Sequence, residues 1–246
     1  MKAKVVSIDY WETLFVHVGN PSFRKNVRKE CYDKHLVALG LNELANVSNS
    51  FFDVIDKEVK LTWQTGISPK RDDLIKHAAR YYGQSVSIAT LEKLLDATYE
   101  LYTKQLLPHP VEGAIDFIHE VASQWPLYII SDTYTIVGNV LDRVLLEYDL
   151  LRYFKGRLYS DQLGKKKPHP ISIQHIIEQE TITAEDIVHI GDLEETDGEL
   201  ARCTGCRCIL VNPQIGRDFI QAAPNDRIIA RCSSLYEAKE ILIAIR

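Results

Sequence analysis

Long hydrophobic runs are absent from this sequence of 246 residues. No apolar stretch approaches the roughly 18 residues that a membrane-spanning helix needs, and the first residues lack the apolar segment and cleavage site of a secretory signal peptide. A surplus of basic charge is also absent, because the net charge is −5 at pH 7 and only Lys165–Lys167 stands out as a basic run. We therefore predict a cytoplasmic protein with no membrane partner and no nucleic-acid partner.

Cysteine is sparse, and the odd number of five does not suggest a framework of disulfides. Cys203 and Cys206 have the Cys-x-x-Cys spacing that occurs in zinc and redox sites. A second such pair and a nearby pair of His residues are both missing, which argues against zinc. We interpret Cys206 and Cys208 as buried strand residues, because a free Cys packs like a small apolar side chain.

The apolar residues that are present predict a parallel α/β fold. The composition, 46% hydrophobic and 26% charged, is close to that of soluble globular proteins. Between several apolar runs lie segments whose apolar residues have helical spacing. In the segment that begins at Val111, this spacing places Val111, Ile115 and Ile118 on one face. Strands that alternate with helices favour a parallel Rossmann-like sheet with helices on both faces. The runs that predict buried strands are 4–9, 127–132, 187–192, 206–212 and, near the end, 227–232, and a loop is predicted at 212–218.

Residues 16–108 differ from the rest because they contain no clear strand. An all-helical block inserted after the first strand of a parallel sheet predicts a helical cap domain over 16–108. The core domain would then comprise 1–15 and 109–246, with 108–110 as the return linker. The amphipathic patterns predict about four helices, which lie within 21–40, 50–63, 71–83 and 91–107.

Polar residues follow the predicted strands at points that should meet on one edge of the sheet. Asp9, Ser131 and Asp192 come at the ends of strands, and Lys167 and Asp197 lie in the loops beyond. Ligands of parallel sheets bind outside the carboxyl ends of the strands. Carboxylates that converge there repel one another unless a cation lies between them, and Mg²⁺ binds a few carboxylates together with waters. The order of these residues therefore predicts a magnesium site.

Taken in chain order, four motifs resemble those of the haloacid dehalogenase superfamily, and the resemblance covers the whole chain. The family motifs are an apolar strand followed by Asp-x-Asp-x-Thr, a strand that ends in Thr or Ser, a Lys often followed by Pro, and Gly-Asp-x-x-x-x-Asp. The helical insert occupies the position of the family's commonest cap. The matching residues here are Asp9 to Thr13, Ser131, Lys167 with Pro168, and Gly191 and Asp192 with Asp197.

The resemblance implies a hydrolase in which Asp9 is the nucleophile and forms a covalent intermediate. Mg²⁺ would be held by Asp9, by Asp192 and by the main-chain carbonyl of Trp11, and Asp197 would bind the ion directly or through its water shell. Lys167 would neutralise both the nucleophile and the transferring group.

The resemblance also implies which residues contact a small phosphorylated substrate. Ser131 and nearby main-chain N–H groups would hold phosphate oxygens, and Thr13 would support the loop after the nucleophile. We favour Lys167 over the neighbouring lysines because it directly precedes the proline. The full set of expected substrate contacts is Ser131, Asp132, Trp11, Glu12 and Lys167, with Tyr10, His17, Arg24 and Arg28 as further candidates for substrate selection.

Trp11 departs from the family pattern, which has a second aspartate at this position as general acid and base. An indole N–H cannot exchange its proton at pH 7, and the loss of a positioned acid typically costs about 10²–10⁴-fold in rate. Glu12 is adjacent, but neighbouring side chains of an extended segment point in opposite directions. Glu12 could therefore serve as the acid only if the turn is unusual.

Three functions stay open on the sequence. The first is a slow or specialised Mg²⁺-dependent phosphohydrolase that acts on substrates with good leaving groups or recruits another acid, and a phosphonate or acyl-phosphate substrate also fits it. The second is a dehalogenase-like hydrolase that acts at carbon, since dehalogenases of the family carry an aromatic residue at the position of Trp11 but usually lose the Gly-Asp retained here. The third is a weakly catalytic protein that binds a metal and an anion for regulation. The retention of Asp9, Lys167 and Asp192 favours the enzymatic functions.

Overall fold

The computed structural model describes residues 2–45, 51–83, 86–212 and 226–246. Six of its strands form one parallel sheet with the order β5-β4-β1-β6-β7-β8, which confirms the predicted α/β fold. Apart from Asn212, the loop predicted at 212–218 lies outside the described residues. The strands are β1 (Val5–Ile8), β2 (Phe15–Val16), β3 (His109–Pro110), β4 (Leu127–Ser131), β5 (Gly156–Tyr159), β6 (Ile187–Gly191), β7 (Arg207–Val211) and β8 (Ile228–Cys232).

Helices make up most of the remaining structure. No helix among the described residues has both the length and the apolar character needed to cross a membrane. The helices are α1 (Pro21–Ala38), α2 (Asn42–Ala45), α3 (Phe51–Trp63), α4 (Arg71–Tyr82), α5 (Ile88–Glu100), α6 (Ala114–Ala122), α7 (Gly138–Glu147), α8 (Ser160–Leu163), α9 (Ile171–Glu180), α10 (Glu199–Thr204) and α11 (Leu235–Ala244).

Alternate residues of the strands face opposite sides of the sheet, and helices cover both sides. Val6 and Ile8 of β1 pack in one core with residues of α6, α7 and α11. Val5 joins a second core with residues of α9 and α10. Cys206 and Cys208 are buried in this second core and form no disulfide, as their interpretation as small apolar residues predicted. The period of two along each strand thus accounts for both layers.

Two local predictions differ from the structure. Strand β5 was not predicted, because its sequence Gly-Arg-Leu-Tyr is not a continuous apolar run and it lies at the sheet edge. The apolar face predicted from Val111, Ile115 and Ile118 was also wrong at its start. Gly113 has a φ of 78° and ends the preceding turn, so α6 begins at Ala114 and Val111 lies outside it. Ile115 is consequently exposed, and the buried face consists of Ala114, Phe117, Ile118 and Val121.

The helical segment with α1 to α5 leaves and rejoins the rest of the chain at one short antiparallel pair. Phe15 pairs with Pro110, and Val16 pairs with His109. The predicted boundaries at 15/16 and 108/109 lie at this pair, and the division into core and cap stays a prediction. Side chains of the segment also reach the loop after β4, since the Ser68 hydroxyl donates to the Thr133 carbonyl at 3.1 Å.

Candidate active site

Asp9 lies directly after β1, between two strands that belong to much later parts of the chain. β4 pairs with β1 on one side and β6 pairs with it on the other. The N–H of Asp9 donates to the carbonyl of Ile190 at 2.8 Å, which ties the residue to β6. In a parallel sheet, a crevice opens at the carboxyl edge where the connections from adjacent strands run to opposite sides of the sheet. The fold therefore places Asp9 at the natural ligand position of the sheet.

Lys167 connects Asp9 to Asp197. Its Nζ lies 2.7 Å from Asp9 Oδ1 and 2.6 Å from Asp197 Oδ1. All three side chains are buried, with exposed fractions of 4% for Lys167, 6% for Asp9 and 0% for Asp197. The main-chain N–H of Lys167 donates to Asp132 Oδ1 at 2.9 Å, which holds the lysine backbone beside the end of β4. One ammonium therefore serves two buried carboxylates.

The two neighbouring lysines are directed elsewhere. Lys166 lies over the indole ring of Trp63, with its Nζ 4.7 Å from the ring centroid. Lys165 forms an isolated backbone bridge with Ile67 of the helical segment. Of the three lysines predicted as candidates, the structure brings Lys167 to Asp9.

Asp197 is held by partners that the motifs did not indicate. His189 Nε2 lies 2.9 Å from Asp197 Oδ1, and Ser7 Oγ lies 3.0 Å from His189 Nδ1. The N–H of Leu193 donates to Asp197 Oδ2 at 3.1 Å. A Cβ on Gly191 would lie only 2.1 Å from the Asp197 carboxyl carbon, so glycine is required for this approach. Two polar residues within apolar strands, Ser7 and His189, were the signal in the sequence.

The charges of this cluster are not balanced by Lys167. Burial, opposed by Lys167 and reinforced by Asp197, raises the pKa of Asp9 to about 8. Burial and Asp197 also raise the pKa of Asp192 to about 6. Burial lowers the pKa of Lys167, but Asp197 and Asp9 outweigh it and hold that pKa above the usual value. The lysine thus stays charged, but one ammonium is too little cationic charge for the three carboxylates of Asp9, Asp192 and Asp197.

The donor set suits a hard divalent cation. Oxygen atoms of Asp9, Asp192 and Asp197 lie within 4.8 Å of one another. Three carboxylates beside one ammonium carry excess negative charge, and carboxylate oxygens are the ligands that Mg²⁺ binds. Both oxygens of Asp197 already accept hydrogen bonds from the protein, so Asp9 and Asp192 offer the more accessible oxygens.

Two buried hydroxyls near the site lack hydrogen-bond partners within the part of the chain that the structure describes. They belong to Ser131, at the end of β4, and to Thr13. A buried polar group without a partner is rare in proteins and is often completed by a ligand or water. Ser131 is therefore suited to bind an oxygen of a bound anion. The Thr13 hydroxyl forms no hydrogen bond with the loop that it was predicted to support.

Trp11 faces a cavity of about 420 Å³ next to the Asp9 cluster. Its ring stacks on His17 with the centroids 3.9 Å apart. Glu12 is exposed, has a φ of 59° and lines a different cavity with Thr13, so it does not share the cavity of Trp11. The candidate Tyr10 is fully buried against Phe15 and does not line the cavity either.

The helical segment supplies much of the cavity wall. Arg24 and Arg28 lie one turn apart on α1 and contribute two guanidinium groups. Burial and the charges of these two arginines lower the pKa of His17 to about 4, so its imidazole is neutral near pH 7. Trp63 and Tyr102, which sequence analysis did not single out, line the same cavity, and Asp132 lies on the core side.

Comparison with known proteins links this geometry to one family. The sequence model of the haloacid dehalogenase-like hydrolases matches residues 41–211, more than half of the chain. A 2-haloacid dehalogenase from Pseudomonas syringae pv. Tomato DC3000 has a similar structure, with a TM-score of 0.68, 22% identity and coverage of 98% of this chain and 99% of that chain. The HAD-hydrolase YfnB from Bacillus subtilis, solved with magnesium, aligns with a TM-score of 0.57 and 18% identity, over 98% of this chain and 99% of that one. These two likenesses show the fold.

A curated relative is similar over a shorter part. A phosphoglycolate phosphatase from Nitrosospira multiformis is 33% identical over 96 residues, which are 38% of this chain. The match spans 40% of the length of that phosphatase. The family match over residues 41–211 covers far more of the chain. The chain therefore belongs to the haloacid dehalogenase-like hydrolase family.

Proposed function

We propose that this hydrolase is a Mg²⁺-dependent phosphohydrolase that acts on a small phosphorylated metabolite through an aspartyl-phosphate at Asp9. The observation that carries the proposal is the buried contact of 2.7 Å between Asp9 and Lys167, beside the unbalanced carboxylate of Asp192. A carboxylate can attack an anionic phosphoryl group only where cationic charge offsets the repulsion. An excess of carboxylates over ammonium groups at this point supports a metal-dependent reaction.

In the proposed first step a carboxylate oxygen of Asp9 attacks phosphorus. A bond forms between Asp9 and phosphorus, and the bond from phosphorus to the leaving oxygen breaks. Lys167 stabilises the negative charge of the transferring group, and the Ser131 hydroxyl donates to one of its oxygens. Water then attacks the aspartyl-phosphate, releases inorganic phosphate and restores the carboxylate. Asp9, Asp192 and the Trp11 carbonyl would hold Mg²⁺, which supplies further positive charge to the phosphoryl group.

The surroundings of Trp11 favour a substrate whose leaving group needs no proton. The indole is stacked on His17, whose imidazole is neutral near pH 7 because its pKa is lowered to about 4 by burial and by the two arginines. Neither ring is therefore a proton donor matched to neutral pH. When the bond from phosphorus to the acyl oxygen of an acyl phosphate breaks, the acyl group departs as a stable carboxylate that needs no proton. We accordingly favour acyl phosphates, or other esters with good leaving groups, over simple alkyl phosphates.

The cavity beside Trp11 would receive the rest of the substrate. Arg24 donates to the carbonyl of Gly19 at 2.5 Å, and Arg28 donates to the Tyr102 hydroxyl at 3.2 Å, so both guanidinium groups are oriented. A guanidinium group is suited to bind a carboxylate or phosphate through two parallel hydrogen bonds. We therefore expect the substrate to carry a second anionic group at the end remote from the scissile phosphate.

The proposal is tested with acetyl phosphate and an activated aryl phosphate, each with and without Mg²⁺. Turnover that requires Mg²⁺ and disappears in Asp9→Asn supports it. Trapping of a phosphorylated protein in the wild type, but not in that variant, would support the aspartyl intermediate itself. Absence of turnover with both compounds in the presence of Mg²⁺ contradicts the proposal.

A second candidate function is a dehalogenase-like reaction at carbon. The observation that favours it is the aromatic Trp11, because halide is expelled without a proton donor. In that reaction Asp9 would form an ester with the substrate carbon, and the carbon–halogen bond would break. Halide release from a 2-haloacid in the presence of a chelator, without hydrolysis of any phosphate, would support this candidate instead. Tight binding of Mg²⁺ and phosphate with neither reaction would indicate a regulatory protein.

A further inference from the structure

His189 is buried beside the proposed active site and has no part in the reaction outlined above. It lies in the middle of β6 with no exposed surface, directly opposite Ser7 in the register of β1 and β6. Its two ring nitrogens lie 3.0 Å from Ser7 Oγ and 2.9 Å from Asp197 Oδ1. We propose that Ser7 and His189 are positioning residues that orient Asp197 and, through it, Lys167. The role assigned to Lys167 in turnover rests on the proposed function.

The hydrogen bonds select one tautomer of His189. Asp197 accepts a bond from Lys167 at 2.6 Å, so its carboxylate is ionised and can only accept from the histidine. His189 must then donate from Nε2, which leaves Nδ1 as an acceptor for the Ser7 hydroxyl. Asp197 thus fixes the proton on Nε2, and the Ser7 hydroxyl completes the arrangement by donating to the unprotonated Nδ1.

Asp197 is surrounded so completely that its orientation depends on these donors. Oδ1 accepts from Lys167 and His189, and Oδ2 accepts from the main-chain N–H of Leu193. The carboxyl carbon occupies the space that a side chain at position 191 would need. From these contacts we infer that the principal role of Asp197 is to orient Lys167. The sequence motif had implied instead that Asp197 binds the metal directly or through its water shell.

The arrangement matters because Lys167 must reach Asp9 and the phosphoryl group at the same time. Its Nζ is fixed from one side by Asp197 and from the other by Asp9. If His189 stops donating, Asp197 loses one of two donors at Oδ1 and can rotate toward its remaining partners. A displacement of about 1 Å at a catalytic group is sufficient to lower a rate by roughly 100-fold. The bonds of His189 therefore affect the rate without contact with the substrate.

Two variants separate hydrogen bonding from packing. His189→Gln keeps an amide N–H₂ near the position of Nε2, and His189→Asn places its amide near Nδ1, too short to reach Asp197. We expect His189→Asn to lower kcat for acetyl phosphate about 10-fold or more, as removal of a supporting hydrogen bond typically does, with the KM changed less than the kcat. The conservative His189→Gln variant is expected to recover most of the lost kcat. Equal losses in both variants, or a loss confined to KM, would overturn the inference.

The tautomer itself provides a readout that does not depend on turnover. In ¹⁵N NMR spectra of the full chain without added metal, the His189 signal should be that of a neutral ring protonated at Nε2, and it is assigned by its loss in His189→Gln. Ser7→Ala should shift the Nδ1 signal, because Nδ1 loses its hydrogen-bond donor, while the ring stays protonated at Nε2. A ring protonated at Nδ1, or a signal unchanged in Ser7→Ala, would contradict the role of Ser7. If the wild type fails to hydrolyse acetyl phosphate, the phosphohydrolase proposal fails, while the NMR result still decides the Ser7–His189 arrangement.

Discussion

The cluster around Asp9 and the cavity beside Trp11 adjoin each other but are built differently. The cluster is buried and closely hydrogen-bonded, with distances of 2.6–2.9 Å among Lys167, Asp9, Asp197 and His189. The cavity holds aromatic and charged side chains, many from the helical segment, and the indole of Trp11 is only partly buried. Under the proposed function, the sheet edge would carry the reacting groups, and the helical segment would carry groups that select the substrate.

The two regions should therefore respond differently to substitution. Removal of one partner from a buried charge pair leaves the other charge without compensation, which affects both stability and turnover. A change on the cavity wall leaves a partly hydrated surface, so it should alter substrate choice with little effect on folding. The four predictions that follow test this contrast, beginning with the largest expected effect.

Asp9→Asn should abolish the chemistry while leaving the fold intact. We expect kcat for acetyl phosphate to fall by about 10⁴-fold or more, the scale observed when an essential nucleophilic unit is disabled. Thermal unfolding should show a Tm equal to or above that of the wild type, because burial of the ionised Asp9 is unfavourable and Lys167 keeps Asp197 as its charged partner. Residual activity near the wild-type level would assign the nucleophile to another residue.

Lys167→Met should damage stability as well as turnover. It removes the cation shared by the buried carboxylates of Asp9 and Asp197, and the loss of one partner of a buried pair typically costs about 3–5 kcal/mol. Urea denaturation measures that cost, and turnover should be reduced to background. Lys166→Met is the matched control from the same lysine run, since Lys166 lies over Trp63. Similar losses in both variants would contradict the distinction between cluster and cavity.

Trp11→Asp should widen the range of leaving groups. The new carboxyl group can protonate an alkoxide, so we expect hydrolysis of simple alkyl phosphates to rise by about 10²-fold, at the low end of the effect of a positioned acid. Hydrolysis of acetyl phosphate should change far less. Trp11→Asn, which lacks an acid, is the control. An equal gain in both variants would show that steric hindrance by the indole, rather than the missing acid, limits the reaction.

Arg24→Met and Arg28→Met should change the KM for substrates that carry a second anionic group. Loss of a charged hydrogen bond is expected to raise that KM about 10-fold, whereas KM for acetyl phosphate should stay constant. Lys25→Met is the control on the same helix, because Lys25 pairs with Asp53 at 2.8 Å and does not line the cavity. The same KM change with both substrates would indicate a general electrostatic effect.

Much of the fold could be predicted because the decisive patterns are local. Apolar runs identified β1, β4, β6, β7 and β8, and the residues at their ends include Asp9 and Asp192. Strand β5 was missed because an edge strand pairs with a single neighbour and is not a continuous apolar run. The start of α6 was misplaced because the positive φ of Gly113 shifts the helical register, which an average periodicity does not detect.

The candidate site was only partly predictable for a related reason. The motifs indicated Asp9, Lys167 and Asp197, but their mutual contacts depend on residues far apart in the chain. Ser7 and His189 are separated by 182 positions and become hydrogen-bonded because β1 and β6 are adjacent in the sheet. The cavity wall likewise depends on how the helical segment meets the core.

The amino-acid sequence by itself determined the order of strands and helices and the chemical groups at the strand ends, since both follow from local hydrophobic patterns. It also established that an indole replaces the expected acid at position 11. Only the tertiary structure decided which lysine reaches Asp9, that Asp197 is enclosed by protein donors, and that Glu12 and Trp11 line different cavities. Those outcomes depend on the pairing of distant strands and on buried contacts a few ångströms long, which no local pattern in the chain encodes.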